Sequence, residues 1–234
     1  MNDEALQRVE RYLATAGLEG LKAEAAAIQT AVQGFIGALG NLTRRLSDEA
    51  LYTYQVPMLS DDGACSLIEE MAPTPYDLTG ILGGRNEVNR RKLLLLNQAV
   101  EHATQLTGAD WLGVYQARTN AEGNRVLVKL AYRGRPSRAE FPLNAEFAKG
   151  STNSKVGLSG WALVIDDVTA YTAEGGGFYV CDDAVQSEMC TPIFDEAGKV
   201  LGIIDAEAQP KGFFNVDRQA LIAALALVVP VLLP

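Results

Sequence analysis

The residues of this chain best suited to chemistry are three acids set in apolar surroundings, two aromatic side chains and three thiols. Glu188 lies in Ser187-Glu188-Met189-Cys190-Thr191-Pro192-Ile193, and Asp205 and Glu207 end the run Val200-Leu201-Gly202-Ile203-Ile204-Asp205-Ala206-Glu207. Residues two apart in a strand project from one face, so Asp205 shares a face with Glu207, Glu188 with Cys190, and Trp111 with Tyr115. Three carboxylates on two neighbouring strands repel one another and need a cation or hydrogen-bond donors. The ammonium of a bound small molecule is a natural partner, and Trp111 and Tyr115 would add a cation–π wall or a methyl-sized apolar slot. Such a pocket repels a cyclic nucleotide's phosphate and favours a small zwitterion such as an amino acid. The alternative is that each acid faces solvent and that the two rings are ordinary core aromatics.

Cysteine count and spacing exclude several chemistries. Three cysteines, Cys65, Cys181 and Cys190, form no even disulfide framework, and with the single histidine, His102, they give no zinc-binding spacing. No cofactor is expected. Cys181 follows Gly175-Gly176-Gly177, where glycines permit a mobile lid that carries a thiol over the pocket, although Asp182 and Asp183 beside it disfavour a thiolate. Cys190 reads as a small buried hydrophobe, with a resolving thiol as the alternative. Ser159 has no base placed beside it, which discounts it as a nucleophile.

The elements that position these residues follow from periodicity. From Leu21 the apolar positions Leu21, Ala25, Ile28, Val32, Phe35, Leu39, Leu42 and Leu46 alternate gaps of four and three, the seam of a helix packed on another helix. A shorter amphipathic stretch, Asp3 to Ala16, precedes it and stops at Gly17. Residues 51–84 are broken repeatedly by proline and glycine and read as a long surface-draped connection, with one helical turn near Cys65 to Met71. A helix is expected over Asn86 to Thr107, with Val88, Leu95, Ala99 and Leu106 on its apolar side and Gly108 ending it. Trp111 to Ala117 with Val126 to Tyr132, and Met189 to Phe194 with Val200 to Ala206, read as two hairpins. A last helix is expected from Asn215 or Val216 through Leu227, ended by Pro230. The order predicts an α+β fold, an antiparallel sheet with helices on one face.

At 234 residues and 48% hydrophobic positions the chain can build a substantial core without disulfides, and we divide it into a helical extension over 1–50, an irregular connection over 51–85 and the α+β domain over 86–234. A formal charge of −9 disfavours nucleic acid and anionic membranes as partners. Met1 through Glu10 lacks the apolar core of a secretory signal, and the run Ala220 to Pro234 is too short to span a bilayer, so a cytoplasmic location is expected. The seam predicts a homodimer through Leu21 to Leu46, with Asn86 to Leu106 as a further contributor, and an intramolecular helical hairpin as the alternative.

The segment from about Glu87 to Val229 resembles a GAF domain. The resemblance rests on Trp111-Leu112-Gly113-Val114-Tyr115, Gly157-Leu158-Ser159-Gly160-Trp161-Ala162, the Glu188 strand and the Asp205 strand, followed by Phe213-Phe214-Asn215-Val216-Asp217 opening a helix. Within that family the motifs are most similar to free methionine-(R)-sulfoxide reductases, with counterparts at Trp111 and Tyr115, at Cys181 and Glu188 seven residues later, and at Asp205 and Glu207. The family's mid-domain resolving cysteine is replaced by Gly157-Leu158-Ser159-Gly160. The resemblance implies a sensor-like domain that binds a small molecule and signals through its helices or a partner chain. It implies as the alternative a reductase with Cys181 as nucleophile, one of the three acids as proton donor, Cys190 or Cys65 as resolving thiol, and a thioredoxin-type reductant.

Overall fold

A computed structural model describes residues 3–40, 46–60 and 70–234. Two helices come first, α1 (Asp3–Ala16) and α2 (Ala25–Gly40), then a short α3 (Asp48–Tyr52). Two-residue strands β1 (Thr53–Tyr54) and β2 (Tyr76–Asp77) pair antiparallel. The long helix α4 (Glu87–Thr107) starts where the Asn86 side chain accepts from Asn89 N–H and stops at Gly108, whose φ of 72° suits a residue without Cβ.

The main sheet has six antiparallel strands: β3 (Trp111–Thr119), β4 (Arg125–Arg133), β5 (Glu140–Pro142), β6 (Leu163–Ile165), β7 (Ser187–Phe194) and β8 (Val200–Ala208), in the order β5-β4-β3-β8-β7-β6. Helices α5 (Thr152–Ser159) and α6 (Val168–Ala173) fall between β5 and β7, and α7 (Val216–Val228) follows β8. Both long hairpins, and the last helix with Pro230 just beyond its end, lie where the apolar runs, the turn stretches between them and Pro230 place them.

Alternation gives the sheet two apolar faces. Leu112, Val114, Val126, Val128, Met189, Ile193, Ile204 and Ala206 point to the layer of α1, α2, α4 and α7 and join one continuous core. Trp111, Tyr115, Leu127, Cys190 and Ile203 point to the opposite side, where Phe141, Leu143 and Val156 cover them. The expectation of helices on one face is therefore corrected. Helix α5 packs on β7 and β8 with Val156 in the second cluster, because that face is too apolar to be left to water.

The α2 seam is satisfied within the chain. Leu21, Ala25, Ile28, Val32 and Phe35 are buried in the main core, with α2 packed chiefly on α7 and also on α1 and α4. A facing helix was needed, and α7 supplies it, so the seam itself calls for no second chain. Leu42 lies outside the described residues.

Helix α1 is tied to the sheet by its Tyr12 hydroxyl, which hydrogen-bonds Thr191 Oγ1 at 2.8 Å and donates to the Pro192 carbonyl at 3.0 Å. Burial pushes the Tyr12 phenol up, so it stays protonated.

Two further expectations need correction. On α4, Ala99 is buried and Leu95 packs against the core as expected, but Val88 and Leu106 are 65% and 49% exposed, and the main buried stripe is Asn89, Leu93, Leu96, Val100, Ala103 and Thr107. Two apolar stripes compete on this helix, and the one with unbroken four-three spacing faces the sheet. The 51–84 connection is also not merely draped, since Leu51, Tyr52, Leu78 and Leu82 enter the main core. Met71 pairs with Pro57 in an isolated bridge and the Glu70 carbonyl accepts from Met58 N–H, while the rest of the helical turn expected there, from Cys65 to residue 69, lies outside the described residues. Among the described residues no helix is long and apolar enough to cross a membrane.

Candidate functional site

The sheet register brings the acids together. Glu188 is paired directly with Glu207 and Cys190 with Asp205 across β7 and β8, while β3 sets Trp111 opposite Glu207 and Gly113 opposite Asp205. All of these sit on the face away from the main helical layer. Trp111, Tyr115, Cys181, Glu188, Asp205 and Glu207 line one pocket, together with Ser137, Phe141, Thr152, Asn153 and Tyr179. Its atom-free space, open solvent included, is about 310 Å³, but only about 10 Å³ is open to the centre of a water molecule, room for a single water.

The aromatic wall depends on a glycine. Trp111 and Tyr115 rings are 6.1 Å apart, and the indole folds across Gly113, where a Cβ would lie 2.2 Å from the ring. The indole N–H donates to the Arg135 carbonyl at 3.0 Å, which fixes the plane of the wall. The Tyr115 phenol is held protonated by burial, reinforced by the Asp205 carboxylate.

Helix α5 supplies the donors that sequence reasoning missed. Its first turn is capped by Ser151, whose side chain accepts from Ser154 N–H, and this aims two neighbouring side chains at the sheet. Thr152 Oγ1 donates to Glu188 Oε1 at 2.6 Å, and Asn153 Nδ2 donates to Asp205 Oδ2 at 3.0 Å. The other oxygens, Glu188 Oε2 and Asp205 Oδ1, are buried without a donor from any other residue. The two carboxyl groups contact each other, and burial raises both, Glu188 well above the usual range and Asp205 to about 6. Two buried carboxylates in contact cannot both ionise cheaply, so Glu188 keeps a proton and shares it with Asp205.

A second missed residue is Lys129, the one charge in the apolar run Val126 to Ala131. It is fully buried, donates to the Ser137 carbonyl and hydroxyl at 2.7 Å each, and sits 4.1 Å from the Tyr132 ring and 5.1 Å from that of Tyr54. Its positive charge favours the ionised form of Asp205. A lone lysine in a strand flanked by valine and leucine was a visible sign of an internal counter-ion.

The two candidate thiols differ in setting. Cys181 is partly exposed in the segment that closes the pocket. That segment is clasped on both sides of it, by Tyr179 among the Phe141 and Phe147 rings, with Arg138 packed on all three, and by Asp182 paired with Arg135 at 3.2 Å. Gly177 is pressed against the 149–150 turn, where a Cβ would lie 1.8 Å from the Lys149 carbonyl oxygen, so this glycine serves close packing rather than a loose hinge. Cys190 is fully buried beneath α5, its thiol donating to Asn153 Oδ1 at 3.4 Å, and burial with the adjacent acids pushes it well up. In that setting it is a packed thiol and lacks the exposure a resolving thiol needs. Ser159 and His102 lie away from the site: the Ser159 hydroxyl accepts from Trp161 N–H, and His102 on α4 packs edge-on against Phe35.

Comparison with known proteins gives the fold a name. The type II free methionine-R-sulfoxide reductase of Thermoplasma acidophilum superposes with a TM-score of 0.53 at 19% identity, over 62% of this chain and 95% of that one. A structure described as that of the GAF domain gives 0.50 at 21%, over 61% and 77%. The free methionine-R-sulfoxide reductase of Neisseria meningitidis gives 0.49 at 19%, over 59% and 75%. No curated protein sequence matches the chain. At these identities the likeness is one of fold, but the GAF domain family model matches residues 93–231, more than half of the sequence. This chain belongs to the GAF domain family.

Proposed function

We propose that the pocket binds a small zwitterion of the amino-acid class and that the domain acts as a sensor-like binding module. The observation that carries this is the pair of buried carboxyl oxygens, Glu188 Oε2 and Asp205 Oδ1, that have no donor beyond the proton the two acids share, on the sheet face that also holds Glu207 and the Trp111–Tyr115 wall. With one proton on Glu188 and Lys129 beside Asp205, the acids retain about one net negative charge, which suits one ligand ammonium. The cavity is smaller than an amino acid, so binding must displace the segment around Tyr179 and Cys181, the same motion that would carry a signal outward. Calorimetric titration with free amino acids, methionine and its sulfoxide included, tests this. Saturable binding lost in Glu207→Gln supports it, and heats indistinguishable from those of a simple carboxylic acid refute it.

One observation favours a second reading, in which the site turns over. Cys181 lines the same pocket as the three acids. Its thiolate would attack the sulfur of bound methionine sulfoxide while a carboxyl protonates the oxygen. The hydroxyl then passes from the substrate sulfur to Cys181 Sγ, the sulfur–oxygen bond and the transient sulfur–sulfur bond break, methionine leaves, and Cys181 holds a sulfenic acid. Two equivalents of an external thiol, thioredoxin-type or small, then return the thiol and release water and a disulfide. Incubation with free methionine-(R)-sulfoxide and a thiol reductant, followed by quantifying methionine, separates the readings. Release by wild type and none by Cys181→Ser marks a reductase, and no release by either marks a binding module.

A further inference from the structure

Two acids of the pocket lining, Glu188 and Asp205, form a cluster with the buried Cys190, whose thiol the amine reading does not use. One carboxylate oxygen from each acid and Cys190 Sγ all lie within 4.8 Å of one another. Cross-strand pairing of Cys190 with Asp205, and the two-residue step to Glu188, produce this grouping. Exposures of 1% for Glu188, 3% for Asp205 and 0% for Cys190 mean that bulk water does not solvate these atoms.

The supporting bonds orient all three residues inward. Thr152 holds Glu188 Oε1, Asn153 Nδ2 holds Asp205 Oδ2, and Asn153 Oδ1 accepts from the Cys190 thiol. What remains are Oε2 and Oδ1, held by nothing beyond the proton the two acids share, and the sulfur. First-layer ligands fixed by a second layer of hydrogen bonds, each with one free donor atom, are the usual construction of a metal site.

We propose that Glu188, Cys190 and Asp205 bind one divalent cation of the zinc class, with a fourth coordination position open toward the pocket, and that this metal and an amine ligand exclude each other. One thiolate and two carboxylate oxygens suit Zn²⁺ or Co²⁺; Ca²⁺ and Mg²⁺ require six or more oxygens. Tetrahedral Zn–O and Zn–S bonds of about 2.0 and 2.3 Å set ligand atoms about 3.5 Å apart, within reach of small side-chain rotations in this cluster. The metal displaces the proton shared by the carboxyl groups and that of the thiol. It also takes the two oxygens an ammonium would use, and only this last clause rests on the binding function proposed above.

The test is titration of metal-free full-length protein with CoCl2 at neutral pH. One equivalent should bind and produce a near-ultraviolet thiolate-to-cobalt charge-transfer band that Zn²⁺ bleaches. Cys190→Ser should abolish the band, while Cys181→Ser and Cys65→Ser keep it. Should Cys190→Ser fail to fold, Asn153→Ala is the second variant, expected to weaken cobalt binding about 10–100-fold. Absence of stoichiometric binding, a band that survives Cys190→Ser, or one lost with Cys181 or Cys65 would overturn the site and leave a shared proton as its occupant. The competition is read separately, by methionine titration with and without Zn²⁺. Zinc should block methionine in wild type and not in Cys190→Ser. If wild type binds methionine equally with and without zinc, the exclusion is wrong. A cobalt band in a protein that binds no amino acid would uphold the metal site and refute the amine pocket; amino-acid binding without a band does the reverse.

Discussion

Replacing Glu188 by Gln should make the protein less sensitive to alkali while keeping its fold. Gln is nearly isosteric, its carbonyl oxygen can accept from Thr152, and its N–H can take the place of the proton shared with Asp205. In the wild type the Glu188 carboxyl is raised by burial and by Asp205, so the folded protein holds a proton that the unfolded chain has released above the ordinary value of 4.5. Stability that depends on that proton is fully present below pH 4.5 and is lost as pH rises toward the folded value, at about 1.4 kcal/mol per pH unit. Asp205, raised to about 6, adds a similar loss at lower pH, which confines the clean comparison to pH 6 and above. Between pH 6 and 8 the Gln variant should therefore gain up to about 2.7 kcal/mol on the wild type. Urea unfolding at half-unit pH steps, with a chelator present, measures this. Parallel stability profiles for the two proteins would refute both the shared proton and the burial of the pair.

Tyr12→Phe removes the buried bridge from α1 to Thr191 and Pro192 and should cost about 1–2 kcal/mol in urea unfolding; an unchanged midpoint would mean that α1 is not anchored to the sheet. Phe35→Ala in the α2 seam should cost about 3–5 kcal/mol at any protein concentration, because its partners lie in the same chain; a cost that vanishes on dilution would assign the seam to a dimer. Gly177→Ala drives a methyl into the Lys149 carbonyl, and in a Cys65→Ser background the roughly 1–3 kcal/mol of overpacking should speed labelling of Cys181 by about tenfold; an unchanged rate would show that the clasp does not control that thiol.

Sequence alone determined what depends on short-range periodicity. Apolar runs separated by turn residues located both hairpins, and the two-residue repeat of a strand put Asp205 and Glu207, Glu188 and Cys190, and Trp111 and Tyr115 pairwise on faces. Gly17, Gly108 and Pro230 set helix ends close to those observed. The ordered motifs from Trp111 to Asp217 carried the family resemblance that the match over residues 93–231 supports.

Tertiary structure decided everything that required knowing which element meets which. The α2 seam announced a facing helix but not that α7 would be it, and α4 offered two apolar stripes of which only packing could choose one. The donors Thr152 and Asn153 sit in a polar stretch with no periodic signal, and they reach the acids only because α5 lies across β7 and β8. The same holds for the cluster of Glu188, Cys190 and Asp205. No linear spacing joins residues on two strands, whereas antiparallel register sets Cys190 directly beside Asp205. Side-chain direction repeats over two or four residues and is written locally, but register and packing partner are settled by burial summed over the whole core.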